Sequence, residues 1–114
     1  MIEVKVKNIL KKIKNCRNNE DIDLEEVNAI LKTNSKSLLL DVRSKQEFEE
    51  GHLNSAINIP LYELETCYNC KLKDKNTIII IYCKSGIRSK KAIKILKKYG
   101  FNNLYNLKGG LDSI

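Results

Sequence analysis

Tryptophan is absent from this 114-residue chain, histidine and proline occur once each, and glycine occurs five times. So little proline and glycine excludes a collagenous or low-complexity segment. With His52 as the sole histidine, a protease-type Cys–His nucleophile pair has little support. The longest uninterrupted apolar run, Ile78 to Cys83, is six residues, whereas a membrane helix needs about 20, so no span is expected. The opening stretch, MIEVKVKNILKKIKNC, breaks its apolar residues with Glu3 and lysines and so lacks a secretory hydrophobic region. A cytoplasmic protein is expected, in which Cys16, Cys67, Cys70 and Cys83 serve as thiols, ligands or nucleophiles rather than as structural disulfides.

Arginine is also scarce. The net charge of +7 comes from 21 cationic residues of which only Arg17, Arg43 and Arg88 are arginine, and no basic run is interleaved with aromatics. Arginine is the side chain suited to bidentate phosphate contact, so the basic balance reads as a solvated lysine surface and no nucleic-acid partner is expected. Such a field still attracts small anions or an acidic partner.

What is present has the size and pattern of one α/β unit. A second core would need roughly another 50 residues. Asp23 and Glu26 form a capping box before Leu24, Val27, Ile30 and Leu31 at helical spacing. Leu38, Leu39 and Leu40 followed by Asp41 and Val42 read as a strand buried on both faces, and Lys45 to Glu50 as a helical turn stopped by Gly51. A short strand is expected over Ala56 to Ile59, closed by Pro60, and a turn of helix over Leu61 to Glu65. Thr77 to Tyr82 contains four consecutive isoleucines and no polar face, the pattern of a central parallel strand. From Ser89 the period becomes helical, and Gly100 with Phe101 predicts a Schellman ending against Leu96 before a last strand over Asn103 to Leu107. Residues 1–21 read as an amino-terminal extension, with a short strand and a helical turn between Ile2 and Ile13. The alternation implies a mostly parallel central sheet with helices on both faces, whose ligand site lies beyond the carboxyl ends of the strands.

Cys83 stands at that edge. It follows the isoleucine strand, and Lys84, Ser85, Gly86, Ile87 and Arg88 separate it from the expected helix start at Ser89. Converging loop amides and a helix N-terminus would lower the pKa of such a cysteine and expose the thiolate, the reactive form. Gly86 allows the loop to curl around the sulfur, while Lys84 and Arg88 add positive charge that favours the thiolate and an anionic substrate.

These residues resemble the single-domain rhodaneses, sulfurtransferases of the rhodanese fold, from about Ile22 to Gly110, within a domain expected over residues 22–114. The resemblance rests on Asp41-Val42-Arg43, Glu47-Phe48, Gly51-His52-Leu53, Ala56 with Asn58-Ile59-Pro60, the loop from Cys83 to Ser89, and Gly109-Gly110. It implies a three-layer rhodanese-like domain. It further implies that Cys83 takes a sulfane sulfur from an anionic donor such as thiosulfate and holds it as a persulfide on the amides of Lys84, Ser85, Gly86, Ile87, Arg88 and Ser89. An acceptor thiol, cyanide or a thioredoxin-like protein would then remove it, without cofactor or metal. The fold also hosts dual-specificity phosphatases, whose loop is one residue longer between Cys and Arg, and the shorter ring here suits a single sulfur atom. The rival reading is a rhodanese-like carrier, sensing or protein-binding module that turns over no small substrate.

The resemblance assigns Asp41 and Arg43 a structural role near the site, with Arg43 bridging to Glu47 or Asp41 bonding a nearby loop. His52 is expected to bond backbone near the Asn58-Ile59-Pro60 turn. Cys67 and Cys70 have the spacing of a zinc half-site, but Cys16 is the sole further thiol apart from Cys83, so incidental thiols are preferred to a metal site or a redox pair. The family often carries a tryptophan shortly after the double glycine, and Leu111-Asp112-Ser113-Ile114 stands there instead.

Overall fold

Every strand delivers its carboxyl end to the same edge of one sheet. The computed structural model describes residues 20–114. The elements expected between Ile2 and Ile13, and Cys16, lie outside the described residues. Strands β1 (Asp21–Ile22), β2 (Leu38–Asp41), β3 (Ile57–Asn58), β4 (Ile79–Tyr82) and β5 (Leu104–Leu107) form a sheet in the order β1-β5-β4-β2-β3. All four pairings are parallel. Helices α1 (Leu24–Thr33), α2 (Lys45–Glu50), α3 (Leu64–Lys71) and α4 (Ile87–Lys98) connect them. None is long and apolar enough to cross a membrane.

Side-chain alternation along β4 explains its isoleucines. Ile79, Ile81 and Cys83 face a core shared with Leu64 of α3 and with Ala92, Ile93 and Leu96 of α4. Ile80 and Tyr82 face the opposite layer, with Val27 and Ile30 of α1. A central parallel strand covered on both sides has no place for a polar residue.

Local signals set the helix ends. Asp23 caps α1 and Ser44 caps α2, each in a reciprocal capping box with a glutamate three residues on. After α4 the amides of Gly100 and Phe101 bond the carbonyls of Lys97 and Leu96 at 3.0 and 3.1 Å, the two bonds of the expected Schellman ending.

Several expected boundaries shift, β4 starting at Ile79 instead of Thr77 and β5 at Leu104 instead of Asn103 among them. β3 is confined to Ile57–Asn58, because the Ala56 amide closes a turn onto the Leu53 carbonyl. The expected turn over Leu61 to Glu65 is a 3₁₀ turn, Leu61–Glu63, that continues into α3, so Cys67 and Cys70 lie on a helix rather than after one. Helix α4 opens at Ile87 instead of Ser89, with Gly86 as its N-cap at φ 105°. Asp21, assigned to the extension, instead starts β1 opposite Asn106.

Phe101→Ala would remove the buried ring that closes the α4 ending, and the free energy of urea unfolding is expected to fall by about 3–5 kcal/mol.

Candidate active site

Strand β4 lies between β5 and β2, so Cys83, just beyond its carboxyl end, emerges at the centre of the sheet edge. The residue is buried, with 1% of its surface exposed. Its sulfur accepts the Gly86 amide at 3.0 Å and the Ser89 amide at 3.4 Å. Gly86 has no side chain to cap α4, and Ser89 is the third residue of that helix. Cys83 Sγ occupies the place of a capping oxygen, at the positive end of the helix dipole.

The first two peptide planes of the loop, which carry the Lys84 and Ser85 amides, are held by their carbonyls. The Cys83 and Lys84 carbonyls accept the amides of Leu111 and Asp112 at 3.0 and 2.9 Å. Both donors belong to a closing 3₁₀ turn, Gly110–Ser113. Gly110 sits at φ 60° so close beneath the loop that a Cβ there would lie 2.5 Å from each carbonyl oxygen. The double glycine is therefore required by close approach of backbone to backbone.

Burial pushes the Cys83 thiol up, but hydrogen bonds to the thiolate, from the Ser89 hydroxyl when it turns toward the sulfur and from the amides of Ser89, Gly86 and Ser85, outweigh it, and its pKa falls below the ordinary thiol value. Among the loop residues, Gly86 and Ser89 are buried, Arg88 is half-buried, and Lys84, Ser85 and Ile87 are exposed. The structure thus brings Cys83, Gly86 and Ser89 together around the sulfur.

Arg88 is not free to meet an anion unaided. Its guanidinium grips Glu47 of α2 through two bonds of 2.6 and 3.0 Å. Glu47 in turn accepts the Ser44 amide and hydroxyl. The Arg88 partner holds the Glu47 carboxyl down to about 2, against the opposing effect of burial. The expected Arg43–Glu47 bridge is therefore absent, since the capping box aims Glu47 at the loop. Arg43 instead pairs with buried Asp41, its Nη2 lying 2.8 Å from Oδ2, and donates also to the Gly51 carbonyl at 2.6 Å. Asn58 bonds the carbonyls of both residues. A buried carboxylate needs such a partner, and the pair ties the ends of β2 and α2 together.

His52 departs from expectation as well. It is exposed, stacks on Phe48 with ring centroids 3.7 Å apart, and places Nδ1 2.9 Å from the Phe48 carbonyl rather than near the Pro60 turn. On α3, Cys67 is half-buried against the core and Cys70 is exposed. Among the described residues no cluster of three or more His, Cys, Asp or Glu side chains could hold a metal ion. An open cleft along β3, bounded by Phe48, Ile57, Pro60 and Lys71, contains no residue of the Cys83 loop.

Asn106 is the site residue that sequence reasoning missed. It is 1% exposed on β5, where its Oδ1 accepts the Ser89 hydroxyl at 2.5 Å and its Nδ2 donates to Asp21 at 2.8 Å. A polar residue inside the last strand, Leu104-Tyr105-Asn106-Leu107, was the available signal.

A family model described as a rhodanese-like domain matches residues 23–114. A tRNA uridine(34) hydroxylase of Buchnera aphidicola is 38% identical over 94 residues, which cover 79% of this chain and 30% of that protein. The chain thus spans less than a third of the hydroxylase's length. A rhodanese from E. coli, solved with anions, superposes with a TM-score of 0.62 at 33% identity, covering 68% of this chain and 91% of its own. A human single-domain sulfurtransferase shares the fold, with a TM-score of 0.72 at 23% identity over 82% of this chain and 92% of that one.

Two consequences can be measured. Gly110→Ala is expected to lower the free energy of urea unfolding by about 1–3 kcal/mol and to slow alkylation of Cys83 at neutral pH, because the intruding methyl turns the loop amides off the sulfur. For Glu47, a folded pKa of about 2 against an ordinary 4.5 means that its contribution to stability is full above the higher value and lost as pH falls through the lower. Acid titration of Glu47→Gln should therefore show a flatter loss of stability between those two pH values than the native protein.

Proposed function

Because the chain belongs to the rhodanese-like domain family, we propose that it is a sulfurtransferase working through a persulfide on Cys83. The observation that carries this reading is the sulfur held by the amides of Gly86 and Ser89 at a helix N-terminus. In the first half-reaction the Cys83 thiolate attacks the outer sulfur of a donor such as thiosulfate. A bond forms between Sγ and that sulfur, the sulfur–sulfur bond of the donor breaks with its electron pair on the leaving group, and sulfite departs. The persulfide anion stays in the ring of amides, which are already oriented and need no rearrangement. In the second half-reaction a thiophilic acceptor, such as cyanide or a protein thiol, takes the terminal sulfur and returns the thiolate, a ping-pong cycle.

Four residues separate Cys83 from Arg88, a ring fitted to one additional sulfur atom. With Arg88 paired to Glu47, the side-chain charge left for an incoming anion is that of exposed Lys84, beside the inward amides. The same pairing favours a second reading, a carrier loaded by a dedicated protein donor, since a small anion meets less free charge than the sequence alone suggests.

Intact-mass spectrometry after incubation with thiosulfate, and again after cyanide, separates the readings. Native protein should gain the mass of one sulfur and lose it to cyanide as thiocyanate, Cys83→Ala should gain none, and the double replacement of Cys67 and Cys70 by Ala should load normally. Absence of loading on native protein would overturn thiosulfate transfer and leave the protein-loaded carrier.

A further inference from the structure

The Ser89 hydroxyl has one proton and two acceptors, Asn106 Oδ1 at 2.5 Å and the Gly86 carbonyl at 3.0 Å, and its oxygen accepts from the Cys83 thiol at 3.5 Å. Which acceptor receives the proton is decided one step further out. Asp21 faces the Asn106 carboxamide at 2.8 Å. A carboxylate can only accept, so the amide nitrogen must face Asp21 and the amide oxygen must face Ser89. The Ser89 proton then goes to Asn106, and its oxygen presents lone pairs to the sulfur, where a thiol can donate but a thiolate finds no partner.

We propose that Asn106, oriented by Asp21, is a positioning residue that turns the Ser89 proton away from Cys83 and so favours the thiol over the thiolate. The inference rests on the reading of Cys83 as the nucleophile. The resting site is a directional chain, from the Cys83 S–H to Ser89, from Ser89 to Asn106, and from Asn106 to Asp21. To ionise with full support, Ser89 must rotate its proton from Asn106 onto the sulfur and surrender the shortest bond in that chain. The amides of Gly86 and Ser89 favour the thiolate at all times, while the hydroxyl does so only after that rotation. Two long-range pairings thereby act on thiol acidity, since β1 contributes Asp21 and β5 contributes Asn106.

The other charged and titratable groups on the surrounding elements stay in place when Asn106 is changed. They are Lys84 and Arg88 of the loop and α4, Glu47 of α2, Lys90 beside Asp21, the Asp41–Arg43 pair beyond β2, and Tyr82 of β4. Asn106→Leu alters no formal charge and nearly conserves volume, so its effect isolates the proton's direction.

The readout is the rate at which iodoacetamide alkylates Cys83 as a function of pH, followed on the Cys83 peptide by mass spectrometry. Freed from Asn106, the hydroxyl has only the neutral Gly86 carbonyl to leave when it turns to the charged thiolate, and the midpoint should fall by about half to one pH unit, the size of one net hydrogen bond. Asp21→Asn should shift it in the same direction by allowing the Asn106 amide to turn over, and it carries the test if the buried substitution fails to fold. In a Ser89→Ala background, Asn106→Leu should have no further effect, because the interaction passes through the missing hydroxyl. Midpoints of Asn106→Leu and Asp21→Asn that match the native value or rise, or a shift that persists without Ser89, would overturn the proposal. Thiosulfate loading of the same proteins judges the underlying reading separately: native protein that alkylates as described but takes up no sulfur would sink sulfur transfer from thiosulfate and leave the role of Asn106 standing.

Discussion

Two hydrogen bonds from Leu111 and Asp112 to the carbonyls of Cys83 and Lys84 fix the two peptide planes that open the loop. A peptide plane has two polar ends, and fixing the oxygen outward fixes the following N–H inward. The Ser85 amide, one of those that favour the thiolate, is thus oriented from behind by the segment after β5, while the amides of Gly86 and Ser89 are placed by the start of α4. Gly110 is the condition for that approach, because any side chain at its position would collide with the two carbonyls that must be held. The helix N-terminus adds its own field, and Cys83 receives the donors that elsewhere would go to a serine or aspartate cap.

Charge is arranged around this backbone ring more than within it. Both buried or half-buried arginines are committed to carboxylates, Arg43 to Asp41 and Arg88 to Glu47. Each pair joins the edge of the sheet to α2, so the short helix, which has no buried residue of its own, is held by polar contacts at both ends. Among the described residues the remaining positive charge is lysine, as the composition suggested, and Lys84 is the part of it that stands at the mouth of the loop.

Local patterns were legible in the sequence wherever one segment carries the whole cause. The capping box at Asp23, the stop at Gly51, the isoleucines of β4 and the glycine–phenylalanine ending of α4 are all decided within a few residues, and all appear as expected. The parallel sheet followed from their alternation, and the position of Cys83 at its carboxyl edge followed from the sheet. Helix α3 ran past its expected end because Leu72, just beyond it, joins the core with Leu64, a tertiary gain that its weak amphipathic pattern did not announce. The start of α4 was misplaced because its cap is a sulfur three residues upstream of Gly86 rather than a familiar capping oxygen. Pairings such as Glu47–Arg88 and Asp21–Asn106 bridge 41 and 85 residues, and no local signature records which arginine a glutamate will meet at that range.

The order in which the site is made differs from the order in which it works. Cys83 leaves the ribosome before Asn106, Gly110, Leu111 and Asp112 exist, so the carbonyls of Cys83 and Lys84 then lack the donors that hold them and Ser89 lacks its partner on β5. The site is therefore complete only when β5 docks beside β4 and the turn after it closes, so that its full geometry is a property of the finished fold.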